Sequence, residues 1–234
     1  MGYVGQELEL FRKARNWKLY WTRRVGPHVS GRVLDVGCGL GANAELLWTS
    51  KVSHYTFLEP DADLLNEARN ACPAGRSIGA SFVHGDSTAV SGPYDTILYA
   101  DVLEHIAADK QELSRAVALL APGGQLIVLA PAFASLYSPF DRAIGHHRRY
   151  TRRTLAAIAP DTLRSVRSEY LDGLGCILSL GNRFISRREA PTEAQIAFWD
   201  RWIIPLSERI DPIIGRSFGR SVMMVWQKPH SHAD

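Results

Sequence analysis

Apolar and polar positions along this 234-residue chain change period repeatedly, and each change marks an element. Leu10, Ala14, Trp17, Trp21 and Val25 recur at helical spacing, which predicts a helix over residues 6–25, ended by Gly26-Pro27. Residues 33–36 form a short, mainly apolar run flanked by Gly31, the pattern of a fully buried strand. Further strands are predicted over 54–59, 80–86, 94–100, the stretch reaching Pro131, 163–171 and 221–228. Helices fall between them: over 42–47, from Pro60-Asp61 through Leu64, Leu65 and Ala68, ahead of Pro122, and over 154–158. Alternation of this kind predicts an α/β fold with a doubly wound sheet. Between the last two strands lies a long insert with an apolar run over 174–180. A helix follows over 192–203, which Pro205 should break.

Composition narrows the class without naming a function. Hydrophobic residues are 46% and charged residues 22%, ordinary values for a globular domain. A net charge of +3 is too small by itself to signal a nucleic-acid binder. Cys38, Cys72 and Cys176 are far apart and form no CxxC, which points to a reducing compartment and a cytoplasmic location rather than a structural zinc site. Glu7, Glu9, Arg12 and Lys13 interrupt the start of the chain, so it does not read as a secretion signal, and no apolar run is long enough to span a membrane.

The chemistry gathers where strands end. After the first strand, Gly37-Cys38-Gly39-Leu40-Gly41 allows a sharp turn and close backbone approach to a ligand, and the following helix should offer free N–H groups. Gly37-x-Gly39-x-x-Ala42 satisfies a dinucleotide fingerprint, but a carboxylate at Asp35 suits an ammonium and opposes a pyrophosphate. The second strand ends in Glu59, placed as a ribose-binding acid is in doubly wound nucleotide folds. The third ends in Asp86.

Asp35-x-Gly37-x-Gly39-x-Gly41 resembles motif I of the class I S-adenosylmethionine (SAM) methyltransferases. Residues 94–106 (YDTILYADVLEHI) and 119–131 (LLAPGGQLIVLAP) resemble later motifs of the small-molecule members, similar to the ubiquinone-biosynthesis O-methyltransferases. The resemblance implies a Rossmann-like seven-stranded sheet, mostly parallel with an antiparallel last strand. It implies SAM as cofactor, contacted by Asp35, Gly37, Cys38, Gly39, Glu59, Pro60, Asp86, Ser87, Ala100 and Asp101. Tyr20 or Arg24 of the first helix would reach the methionine carboxylate. One domain is expected over 1–234: a helical cap (1–30), a SAM-binding core (31–172), a helical insert (173–220) and a final strand (221–228).

Acceptor chemistry is expected on the rim after the fourth and fifth strands. Residues 145–153 carry two His and four Arg, and arginine forks bind carboxylate or phosphate. Tyr137, His147, Arg148, Arg149 and Glu104 are the substrate-binding candidates, for an acceptor that is anionic or ionises on binding. A base is needed only while the acceptor keeps its proton; His105 and His146 are the candidates. No metal is expected. The predicted activity is methylation of a small molecule, with oxygen ahead of carbon or nitrogen, in secondary metabolism or quinone-like chemistry. Alternatives are an NAD(P)-dependent oxidoreductase and a SAM-binding partner protein without transferase activity. Expected partners are a small-molecule substrate and a second copy docked through the insert, with no nucleic acid and no stable membrane insertion.

Overall fold

A computed structural model describes residues 11–72, 79–185 and 191–230. Strands β1 (Gly31–Val36), β2 (Val52–Glu59), β3 (Ala80–His84), β4 (Tyr94–Ala100), β5 (Leu120–Pro131), β6 (Arg164–Leu171) and β7 (Ser221–Gln227) form one sheet. Their order is β3-β2-β1-β4-β5-β7-β6. The pairs among β1 to β5 are parallel, and β7 runs antiparallel between β5 and β6. This is the Rossmann-like sheet implied by the sequence.

Both faces of the sheet are covered, which is why the strands read as near-continuous apolar runs. Alternate residues part to opposite sides. Val33, Tyr55, Phe57, Leu98, Ile127 and Val225 pack with Trp17, Tyr20, Trp21 and Val25 of α1 (Arg15–Val25). Leu34, Leu58, Ile97, Tyr99, Leu126 and Met224 pack on the other side, with Leu113 and Ala116 of the helix leading into β5. Residues 6–10 of the predicted first helix lie outside the described residues.

Pro122-Gly123-Gly124 makes its turn as an excursion: Tyr94 pairs with Leu120, and the ladder resumes with Thr96 opposite Gln125. After the glycine turn, α2 is only Ala44–Leu47, and Asn43 makes no cap bond. One turn of helix has little dipole, so the expected helix terminus contributes less than the turn itself. The remaining helices are α3 (Ala62–Ala71), α4 (Asp109–Leu119), α5 (Pro139–Ala143), α6 (Arg152–Ile158), α7 (Gly173–Ile185), α8 (Glu193–Phe198) and α9 (Ile204–Ile210).

Pro205 does not break the insert's helix. A π turn over Trp199–Ile203 loosens the ladder, and Pro205 falls in the first turn of α9, where no N–H is needed. The insert packs on α1 through polar ties. The Asp200 carboxylate accepts from the backbone N–H groups of Asn16 (3.1 Å) and Trp17 (2.8 Å), and Trp17 and Trp199 meet at 5.8 Å between ring centroids. Among the described residues, no helix is long and apolar enough to cross a membrane.

Candidate active site

Sheet order reverses between β1 and β4, and a crevice opens beyond their carboxyl ends. Two cavities share its floor at Gly37, Gly39, Asp101 and His105. One, of about 510 Å³, lies over the ends of β1, β2 and β4 and is lined by Glu59, Pro60, Asp86, Ser87 and Val102 among others. The second, of about 260 Å³, runs under α1 and the insert, past Cys38, Ala100, Glu104, His146, Arg149 and Arg220.

The glycine turn shapes the first cavity. Gly37 adopts φ +62°, and a Cβ there would come within 2.8 Å of both Val102 methyls. Glu59 is 6% exposed and spans the turn: Oε2 accepts from the Gly39 N–H at 2.9 Å and Oε1 from the Asp61 N–H at 3.0 Å. Burial raises its pKa. At the mouth, Asp86 is exposed; its Oδ1 accepts both the hydroxyl and the N–H of Thr88, which lower its pKa. Ser87 is turned inward, donating to Glu112 and accepting from Arg115, so its hydroxyl is already committed.

Beneath the turn, Asp35 is wholly buried. Oδ2 accepts from Tyr55 (2.9 Å) and Asn43 (3.4 Å), while Oδ1 has no hydrogen-bond partner. Burial pushes its pKa up to about 7 against the pull of those two bonds. An orphaned buried carboxylate oxygen, a turn that a Cβ would fill, and an acceptor carboxylate at the end of β2 fit a ligand carrying an ammonium and a ribose, as SAM does.

The second cavity gathers the acceptor-side residues. Asp101 (φ +56°) follows β4 and opens onto the cavity floor; desolvation there raises its pKa. Glu104 is 0% exposed, neither carboxylate oxygen has a hydrogen-bond partner, and burial together with Asp101 raises its pKa strongly. His105 and His146 meet edge to face at 4.5 Å between centroids. Burial, then the neighbouring His146 and His147, lower the His105 pKa to about 4. His146 Nδ1 lies 2.9 Å from Asp141 Oδ1, and Arg149 grips both oxygens of Asp141. Burial alone would raise the Asp141 pKa; these bonds outweigh it and hold it below the usual carboxylate range.

Five of the expected contacts fall elsewhere. Tyr20 lines neither cavity: it is fully buried, donates to Asp211 at 2.6 Å and receives Arg216, because α1 packs against the insert as core. Arg24 forks onto Glu169 in the same way. Arg148 is spent on Asp109 and the Ala107 carbonyl, and Tyr137 donates to the His146 carbonyl, so both brace the rim loop rather than face the cavities. The exposed His147 joins that bracing through its backbone N–H to the Glu104 carbonyl.

Sequence reasoning missed Asp172, Trp199 and Arg220. Asp172 directly follows β6, as Asp101 follows β4, a legible signal; it takes up Ser207, Trp199 and the Gly175 N–H. Arg220 precedes β7, and only an antiparallel strand brings its beginning to the ligand rim. Its guanidinium stacks on Trp199 at 5.1 Å, and burial lowers its pKa.

Comparison with known proteins agrees with this geometry. The family model of the Methyltransferase domain matches residues 10–162. Ribosomal RNA small subunit methyltransferase C of Klebsiella pneumoniae is 32% identical over 127 residues, which cover 52% of this chain and 37% of that relative. Among solved structures, a chain from the Haloferax volcanii complex of the Trm112 methyltransferase activator with a methyltransferase superposes with TM-score 0.64 at 14% identity. It covers 97% of this chain and 100% of that one. The N-methyltransferase NodS of Bradyrhizobium japonicum, solved with S-adenosylhomocysteine, superposes with TM-score 0.59 at 18% identity, covering 94% and 88%.

These relatives correct the expected partners. The exclusion of nucleic acid does not stand, because the curated relatives are named for ribosomal RNA. The oxidoreductase alternative and the SAM-binding protein without activity both give way to the family match. Glycine turn, strand-end acids and matched sequence converge: the chain belongs to the methyltransferase-domain family and is a SAM-dependent methyltransferase.

Proposed function

We propose that the enzyme methylates an oxygen atom of a compact, anionic small molecule held in the cavity under α1 and the insert. The observation that carries this reading is the shared floor of the two cavities. Gly37, Gly39, Asp101 and His105 face both, so a cofactor in one and an acceptor in the other meet there. In the larger cavity Glu59 accepts the ribose hydroxyls, Asp86 faces the adenine edge, and Asp35 stands under the ammonium. Pro60 shapes the wall beside them, while Cys38 and Ala100 line the second cavity on the far side of the shared floor. SAM supplies a methyl on a positively charged sulfur with a neutral leaving group, so the protein's work is alignment.

On the acceptor side, one buried-facing cation is held by ring stacking rather than by an ion pair. Among the described residues the Arg220 side chain donates no hydrogen bond, and it lines this cavity beside the Trp199 ring. Arg220 is therefore the group that fixes an acceptor carboxylate or phosphate, a part the sequence had given to Arg148 and Arg149. Glu104, His105 and His146 stand at the floor, where the acceptor oxygen must approach, and they assist its loss of a proton.

The ribosomal RNA relatives favour a second reading, in which the acceptor group belongs to a nucleotide of a larger RNA. One assay separates the two. The enzyme is given SAM labelled in its methyl group and offered hydroxybenzoates and catechols on one side and ribosomal RNA on the other. Label in the small-molecule fraction is expected. Label confined to RNA overturns the first reading and installs the second.

A further inference from the structure

We propose that Glu104, His105 and His146 form a binding site for one divalent transition-metal ion, reversing the sequence-based expectation of no metal. One ligand atom from each residue can be chosen so that all three lie within 4.8 Å of one another. Ligands of a single ion lie about 3–3.5 Å apart in cis, so loading requires the set to close by about 1 Å.

Three observations independent of that spacing point to a cation. First, Glu104 is wholly buried with both oxygens unpartnered; its nearest positive candidate is His146 Nε2, 3.7 Å from Oε1. A carboxylate sequestered in this way calls for a counter-charge that the described residues do not supply by contact. Second, His146 is set up as metal-binding histidines are. Its Nδ1 side is taken by Asp141, so the tautomer that donates there leaves the Nε2 lone pair facing Glu104. Asp141 is itself locked by Arg149 and by Ser138 in a capping box, so the imidazole is held on a rigid support. Third, His105 has no ring hydrogen bond among the described residues and shares the cavity floor with the other two.

Two imidazoles and one carboxylate suit manganese, iron, cobalt or zinc better than magnesium or calcium, and three protein ligands leave positions open. Those positions face the acceptor cavity. The ion there would bind the acceptor oxygen and acidify its O–H, the proton leaving to water at the cavity mouth. The new O–CH3 bond then forms as the sulfur–methyl bond breaks, and neutral S-adenosylhomocysteine departs. The two histidines act as ligands rather than as bases. This role in transfer rests on the oxygen-acceptor reading above, whereas binding of the ion does not.

The test measures binding first, without any acceptor. The full chain, stripped with chelator, is titrated with Co2+ and Mn2+, followed by cobalt visible absorption and by loss of the free-manganese resonance. One ion per chain is expected. Glu104→Gln and His146→Ala should each weaken binding by at least about tenfold, and Asp141→Asn by about 10–100-fold. His147→Ala, next in sequence but exposed, should leave it unchanged. Retained SAM affinity in each variant shows that it is folded. No saturable binding by wild type, or binding insensitive to both Glu104→Gln and His146→Ala, overturns the site. Turnover that survives exhaustive chelation overturns the ion's role while leaving the acceptor reading standing. A loaded site with no turnover on any hydroxyl compound or RNA overturns the acceptor reading alone.

Discussion

Replacing Glu59 by glutamine tests the cofactor site at the point where fold and binding share one side chain. The carboxylate accepts a backbone N–H on each oxygen, from Gly39 and from Asp61. An amide keeps one acceptor and turns an NH2 toward the other donor, leaving a buried N–H unpaired at about 1–3 kcal/mol. For a domain of this size, that lowers Tm by about 2–12 °C. Binding suffers separately. A ribose hydroxyl that loses its charged acceptor forfeits about 1.5–3 kcal/mol, so the Kd for SAM should rise about 10- to 150-fold. Calorimetric titration with SAM and S-adenosylhomocysteine, beside a melt of the ligand-free protein, reads the two effects independently. A lower Tm with Kd within about threefold of wild type would refute the ribose assignment and leave Glu59 as a strut for the glycine turn.

Other perturbations sort the remaining roles. The Asp35 pKa, raised to about 7 by burial, sits above its unfolded value, so its contribution to stability is full at low pH and is lost as pH rises through about 7. Asp35→Asn should therefore raise the ligand-free Tm at pH 8 more than at pH 5, while SAM affinity, which needs the carboxylate, falls below pH 7 in wild type and loses that dependence in the variant. Arg220→Met should raise KM for an anionic acceptor by about tenfold or more with SAM Kd unchanged, whereas Arg148→Ala should lower Tm and leave KM alone; kinetics and melts on both variants decide. Tyr20→Phe strips Asp211 and Arg216 of a buried partner and should cost about 1–3 kcal/mol in denaturant unfolding without weakening SAM binding. Unchanged stability with weakened SAM binding would return Tyr20 to the cofactor.

What was legible in the sequence was the half of the rim built by parallel strands. Each of β1, β2 and β4 ends where its apolar run ends, and the residue after that point faces the crevice by topology. Gly37, Glu59 and Asp101 could thus be placed from spacing alone. The acceptor half depends on pairings that spacing does not contain. Arg220 reaches the rim because β7 runs the other way between β5 and β6, and Trp199 reaches it because a π turn shifts the phase of the insert helix. Tyr20 was misread for a related reason: an aromatic on the first helix can face a ligand or an insert, and only the tertiary contact with Asp211 decides.

The basic run over 145–153 shows why local charge is a poor guide to binding. Its density suggested arginines waiting for an anion, yet burial imposes its own neutrality. Arg149 is consumed by Asp141 and Arg148 by Asp109, and Arg152 lies over the Tyr170 ring, donating to the Arg216 carbonyl. Those acids lie 8 positions before Arg149 and 39 before Arg148, so a reading of the run alone counts the cations without their partners. The same bookkeeping exposes Glu104 from the opposite side. Every other acid in this part of the cavity wall that is buried to the same degree, Asp141 and Asp172, has its oxygens taken by named donors, while Glu104 has none. Net local charge therefore points at Glu104, the buried acid of this wall whose oxygens both lack a donor, and it stands beside His146 and beside His105, which lies on the floor shared with the cofactor cavity.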